Sequence, residues 1–128
     1  LKTLSIASFV LGSLTSVLAD NKEAVEAGRK DFQETCAVCH GTDGTGAGPM
    51  AEALTKTPTD LTQLAKKNEG KFPLTEVTEI IDGRVELISH GTRDMPIWGE
   101  RFRENVDPAV ARSRILNLTL YLQSIQKK

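Results

Sequence analysis

The sequence predicts an all-α domain of several helices set among long loops, and three observations lead there. Val25, Gly28, Phe32 and Cys36 recur at three- and four-residue spacing in a proline-free stretch that starts at Lys22, the stripe of a helix with one buried face. Asp107-Pro108 is followed by Ala111, Ile115, Leu118, Leu122 and Ile125 at alternating spacings of four and three, which reads as a capped helix start and a second apolar stripe. No alternating apolar run bounded by turn residues appears after Ala19, so a sheet-based domain is disfavoured.

The chain has 128 residues, of which 39% are hydrophobic and 5% aromatic. One domain with a modest core is expected, and a large apolar cofactor would help fill it. Lysine plus arginine number 16 against 17 aspartate plus glutamate, a formal net charge of −1. Nucleic-acid binding needs a basic excess that is missing here, and like-sign runs are too short to make a polybasic anchor or a charged tail.

At the start, Lys2 precedes an apolar and small-residue run from Leu4 to Leu18, and Val17-Leu18-Ala19 precedes Asp20. Leu1–Ala19 reads as a secretory signal peptide cleaved near Ala19, which leaves residues 20–128 as the mature domain. Serine and threonine interrupt the run, which falls short of the roughly 20 apolar residues of a spanning helix, so a retained membrane anchor is the lesser alternative. The first mature helix then covers Lys22 to about Cys36. Gly28 stands inside its stripe, where glycine costs about 1 kcal/mol against alanine unless another backbone must come close; a helix crossing is expected there.

Glycines at 41, 44, 46 and 48, followed by Pro49, make a loop. It is not a phosphate loop, since no lysine with serine or threonine follows and no strand precedes it. Thr59 or Asp60 caps a short helix carrying Leu61, Leu64 and Ala65, which Gly70 and Pro73 stop. Thr75 caps another with Val77, Ile80 and Ile81 on one face, ended by Asp82-Gly83. Gly91 to Gly99 reads as loop, and the helix begun by Asp107-Pro108 closes the chain.

The chemistry centres on Cys36-Ala37-Val38-Cys39-His40. Two cysteines so close enclose almost no loop, and a disulfide between them would restrict the unfolded chain little. At this spacing their thiols can form thioethers to the two vinyl groups of one haem while the next residue, His40, ligates the iron. A redox CxxC pair would belong with an alternating strand and helix pattern that is missing. A structural zinc site needs about four ligands at characteristic spacing, and the remaining histidine, His90, is far away in sequence.

With its helix, Cys36-Ala37-Val38-Cys39-His40-Gly41, glycine loop, Met95-Pro96-Ile97-Trp98-Gly99 and closing helix, the mature chain resembles a class I, monohaem c-type cytochrome of the bacterial periplasmic kind. The resemblance implies the cytochrome c fold, with helices and long loops wrapped around one covalent haem c whose edge is exposed. It implies that the first and last helices cross at a glycine and an aromatic residue, positions matched by Gly28 and Tyr121. It also places Gly48-Pro49 beside the proximal histidine, with the Pro49 carbonyl accepting the imidazole N–H.

Met95 is the candidate sixth ligand, a thioether on a loop stiffened by the following proline. Met50 comes too soon after His40 to reach the opposite face easily, and His90 is the imidazole alternative. His/Met ligation raises the reduction potential, because soft thioether sulfur favours ferrous iron. Trp98, Arg84 and Arg93 are candidate donors to the haem propionates. These residues point to a periplasmic electron carrier with redox-protein partners, not itself an enzyme. Two alternatives remain: a haem protein with an open sixth site, and a cytochrome subunit docked permanently to a dehydrogenase or oxidase.

Overall fold

The structure is a computed structural model that describes residues 10–84 and 95–128, with side chains from Val17 onward. Among the described residues there are six α-helices and no strand: α1 Val10–Thr35, α2 Ala37–His40, α3 Leu64–Lys67, α4 Leu74–Asp82, α5 Trp98–Arg103 and α6 Pro108–Ser124. The all-α architecture expected from the two apolar stripes is what the chain adopts.

Helix α1 begins upstream of the expected Lys22. Leucine, valine and alanine of the leader-like run are compatible with helix, and no proline separates them from the stripe that follows. Val17 and Leu18 stand clear of the core, 65% and 67% exposed. Packing starts at Val25, which lies against the core.

The two terminal helices form the centre of the molecule. A Cβ on Gly28 would collide with the Asn117 carbonyl and lie 2.9 Å from the Leu118 amide nitrogen, so the backbones of α1 and α6 touch where glycine permits it. One turn further on, Phe32 packs against Tyr121 with ring centroids 5.2 Å apart, within the range of favourable aromatic pairs. Asp31 receives two hydrogen bonds from Arg114, from Nε at 3.0 Å and Nη2 at 2.8 Å. The same guanidinium lies 4.2 Å from the centroid of the Phe102 ring, so one arginine joins α1, α5 and α6. Ala111, Ile115, Leu118 and Leu122 are buried as their spacing requires, and Ile125 packs beside them.

Helix α6 has the expected start: Asp107 accepts from the Ala109 amide and Pro108 is the first helical residue. Helix α4 differs from expectation at its start. Pro73, not Thr75, occupies the cap position, and its carbonyl accepts from the Val77 amide at 3.0 Å; a proline there has φ suited to entering the helix and no N–H to satisfy. Its end is as expected, with Gly83 left-handed at φ 81°. Asp60 is the cap of the preceding segment, accepting from the Thr62 amide, but that segment opens as a 3-10 turn, Leu61–Gln63, before α3. The expected loop from Gly91 to Gly99 is corrected at its end: Trp98 and Gly99 belong to α5. Six residues without a side-chain cap give little sequence signal.

Replacing Gly28 with alanine will force α1 and α6 apart. We expect a loss of about 1–3 kcal/mol in denaturant unfolding of the intact protein; wild-type stability would contradict the close crossing.

Candidate cofactor site

Helix α2 is a single turn, and the Cys36 carbonyl holds it together. That oxygen accepts from the Cys39 amide at 3.1 Å and from the His40 amide at 2.9 Å. Residues three and four apart on a helical turn share a face, so Cys36, Cys39 and His40 are brought to one side by the backbone alone. Both cysteines are free thiols and half-buried. Burial raises the Cys36 thiol above the ordinary range, opposed by its hydrogen bond with the Thr35 hydroxyl. This favours a neutral thiol over a thiolate at neutral pH.

A turn this short leaves its last carbonyls without helical partners. The glycine loop supplies them by folding back beneath α2. Gly46 donates to the His40 carbonyl at 2.7 Å, Gly48 to Cys39 at 3.0 Å and Met50 to Val38 at 2.9 Å. The approach is close enough that a Cβ on Gly48 would lie 2.5 Å from the Cys39 carbonyl carbon. Gly46, at φ +94°, has no room for one beside the Pro58 carbonyl.

Packing of the loop on residues 58–61, helped by a 2.8 Å bond from the Leu61 amide to the Gly44 carbonyl, presents the Thr59 carbonyl to His40. The distance from Nδ1 to that oxygen is 3.0 Å. A carbonyl only accepts, so Nδ1 carries the proton and Nε2 has a free lone pair for a metal. Burial lowers the His40 pKa, with the Thr59 contact opposing it, and the neutral, ligating form is favoured. Pro49, the acceptor implied by the resemblance, is exposed; the acceptor is Thr59, ten residues later. As a backbone oxygen it carries no side-chain signature in sequence.

Of the remaining candidates, Met95 is half-buried and directly precedes the Pro96-Ile97 entry to α5, while Met50 is 47% exposed. Trp98 stacks on Phe102 with ring centroids 5.8 Å apart, and the Arg101 guanidinium lies over the Trp98 ring, 5.2 Å from its centroid. Arg84, expected near a propionate, has its Nε 2.5 Å from Asp82 Oδ2. His90 and Arg93 lie outside the described residues.

The residues present fit a haem. Two unpaired thiols and an imidazole with Nε2 available share one turn, and partly buried Leu61, Leu64, Phe72 and Trp98 pack around the same core. Among the described residues no group of three or more histidine, cysteine or carboxylate side chains is arranged to hold a metal ion by itself. A family model described as cytochrome C oxidase, cbb3-type, subunit III matches residues 23–111, from within α1 to the first turn of α6. Searches among curated proteins and among solved structures gave no match.

Gly46→Ala will push residues 58–59 off the loop and weaken the Nδ1 contact. In haem-loaded protein we expect about 1–3 kcal/mol lower stability and a higher reduction potential, since an imidazole that loses its acceptor donates less to iron. Unchanged values of both would show that the Thr59 contact does not tune His40.

Proposed function

The chain belongs to the family of cytochrome C oxidase, cbb3-type, subunit III, with a cytochrome c domain suited to haem-based electron transfer, and from this premise we propose that it carries single electrons on one covalent haem c with His40 and Met95 as axial ligands in the periplasm. The observation that supports this most is the α2 turn, where Cys36, Cys39 and the Nε2 side of His40 share one face.

The haem, when bound, supplies a one-electron iron couple. The chain's own residues do the rest. Cys36 and Cys39 would hold the group covalently, each thiol becoming a thioether to one vinyl substituent with its proton taken up by the neighbouring vinyl carbon. His40 is oriented by Thr59, which strengthens it as a donor. Met95 would provide soft sulfur that favours the ferrous state. Trp98 remains a candidate propionate donor through its indole N–H, and Pro49 helps shape the loop under α2.

The leader-like composition of Leu1–Ala19 supports the periplasmic reading, as does the compartment in which covalent haem attachment occurs in the resembled family. Among the described residues no helix is long and apolar enough to cross a membrane. A second reading is favoured by the family's description: the domain serves as a haem subunit of an oxidase complex, receiving electrons from one redox protein and passing them to another. Native electrophoresis of unfractionated extract with haem staining separates the two, since a free carrier runs as a small species and a subunit runs only in a large complex.

Met95→Ala tests the ligation. We expect loss of the weak far-red band of ferric iron bound to thioether, a lower reduction potential, and rapid carbon monoxide binding by the ferrous protein. An unchanged spectrum and potential would contradict the Met95 assignment.

A further inference from the structure

A buried carboxylate at the end of α4 lies between two arginines. The Asp82 side chain is 5% exposed; Arg84 Nε is 2.5 Å from its Oδ2, and Arg103 Nη2 donates to its Oδ1. The opposite wall is α5, where Gly99 approaches so closely that a Cβ would strike Asp82 Oδ1 and lie 2.9 Å from its Cα. Next to it, a Cβ on Gly83 would strike the Ile97 side chain and lie 3.3 Å from Ile97 Cβ. The two flanks of the segment that leads to Met95 therefore meet at one corner, Asp82–Arg84 before it and Ile97–Arg103 after it.

Burying a carboxylate is unfavourable unless it is paired, and an apolar residue in such a place commonly gives equal or greater stability. What an ion pair supplies in addition is a fixed geometry. Arg103 is on the last turn of α5, Gly99 on its first, and Met95 two residues before Ile97. A carboxylate that engages Arg103 and abuts Gly99 fixes α5 at both ends relative to α4, and with it the direction from which Met95 enters.

We propose that Asp82 is a positioning residue for the sixth ligand: its pairing with Arg103 and Arg84, across the Gly83–Ile97 and Asp82–Gly99 contacts, keeps the Met95 thioether on the iron. The inference rests on the His40/Met95 reading given above.

The test compares full-length, haem-loaded wild type with Asp82→Asn, Asp82→Glu, Arg103→Gln and Met95→Ala. For each, the far-red band of the ferric protein and the rate of cyanide binding to ferric iron are measured, because cyanide enters as methionine leaves. Asp82→Asn is expected to retain wild-type helicity and haem content, to weaken the far-red band, and to bind cyanide about tenfold faster. Asp82→Glu is expected to restore part of the difference. Arg103→Gln, which leaves Arg84 on the carboxylate, gives the same comparison where Asp82→Asn does not load haem, with a smaller acceleration expected. Wild-type cyanide rate and band intensity in a folded Asp82→Asn or Arg103→Gln protein would overturn the role of Asp82 while leaving Met95 as ligand. A wild type without the far-red band, or a Met95→Ala protein identical to it, would remove the ligation reading and this inference with it.

Discussion

The site depends on one backbone constraint: a single helical turn, Ala37–His40, must have its terminal carbonyls satisfied from outside itself. A turn of this length has no stability of its own. Here the amides of Gly46, Gly48 and Met50 supply the missing donors, and they reach the turn only because the loop carries glycine where its backbone comes nearest. The same fold-back sets residues 58–61 against the loop and brings the Thr59 carbonyl to His40. The placement of Cys36, Cys39 and His40 on one turn and the orientation of the His40 imidazole thus follow from one set of main-chain hydrogen bonds.

The terminal helices provide the rigid frame for this arrangement. Their contact at Gly28, the Phe32–Tyr121 pair and the bidentate Asp31–Arg114 bridge join sequence ends that would otherwise be independent. Gln126 extends the frame toward the Thr59–His40 contact: its side chain accepts from the Ala65 amide at 2.9 Å and donates to the Leu61 carbonyl at 2.7 Å. The close of α6 is thereby tied to the segment that follows Thr59. The α4–α5 corner around Asp82 is a separate connection, which joins the end of α4 to both ends of α5 just after Met95.

Much of this was legible in sequence where a side-chain type or period carries the information. The Cys36–His40 motif, the Gly28 crossing and the α6 stripe each reflect a strong local or periodic requirement. Thr59 was not legible, because its contribution is a carbonyl that any residue has. Helix α5 was missed because six residues leave no period to read and no cap announces them. The burial of Asp82 and its pairing with Arg84 are tertiary outcomes: a carboxylate before a glycine looks like an ordinary helix end. The continuation of α1 back to Val10 was hidden for another reason, since a leader-like run and a helix start share the same apolar composition.

The central claim is that Cys36, Cys39 and His40 hold one haem covalently. The most direct test is mass spectrometry of the intact purified protein and of its proteolytic peptides, paired with a pyridine haemochrome spectrum. The account predicts one haem per chain, retained after denaturation on the peptide that contains Cys36 and Cys39, with a c-type haemochrome. A chain purified from a host with c-type haem maturation that carries no haem, or releases it on acid extraction, would contradict the account.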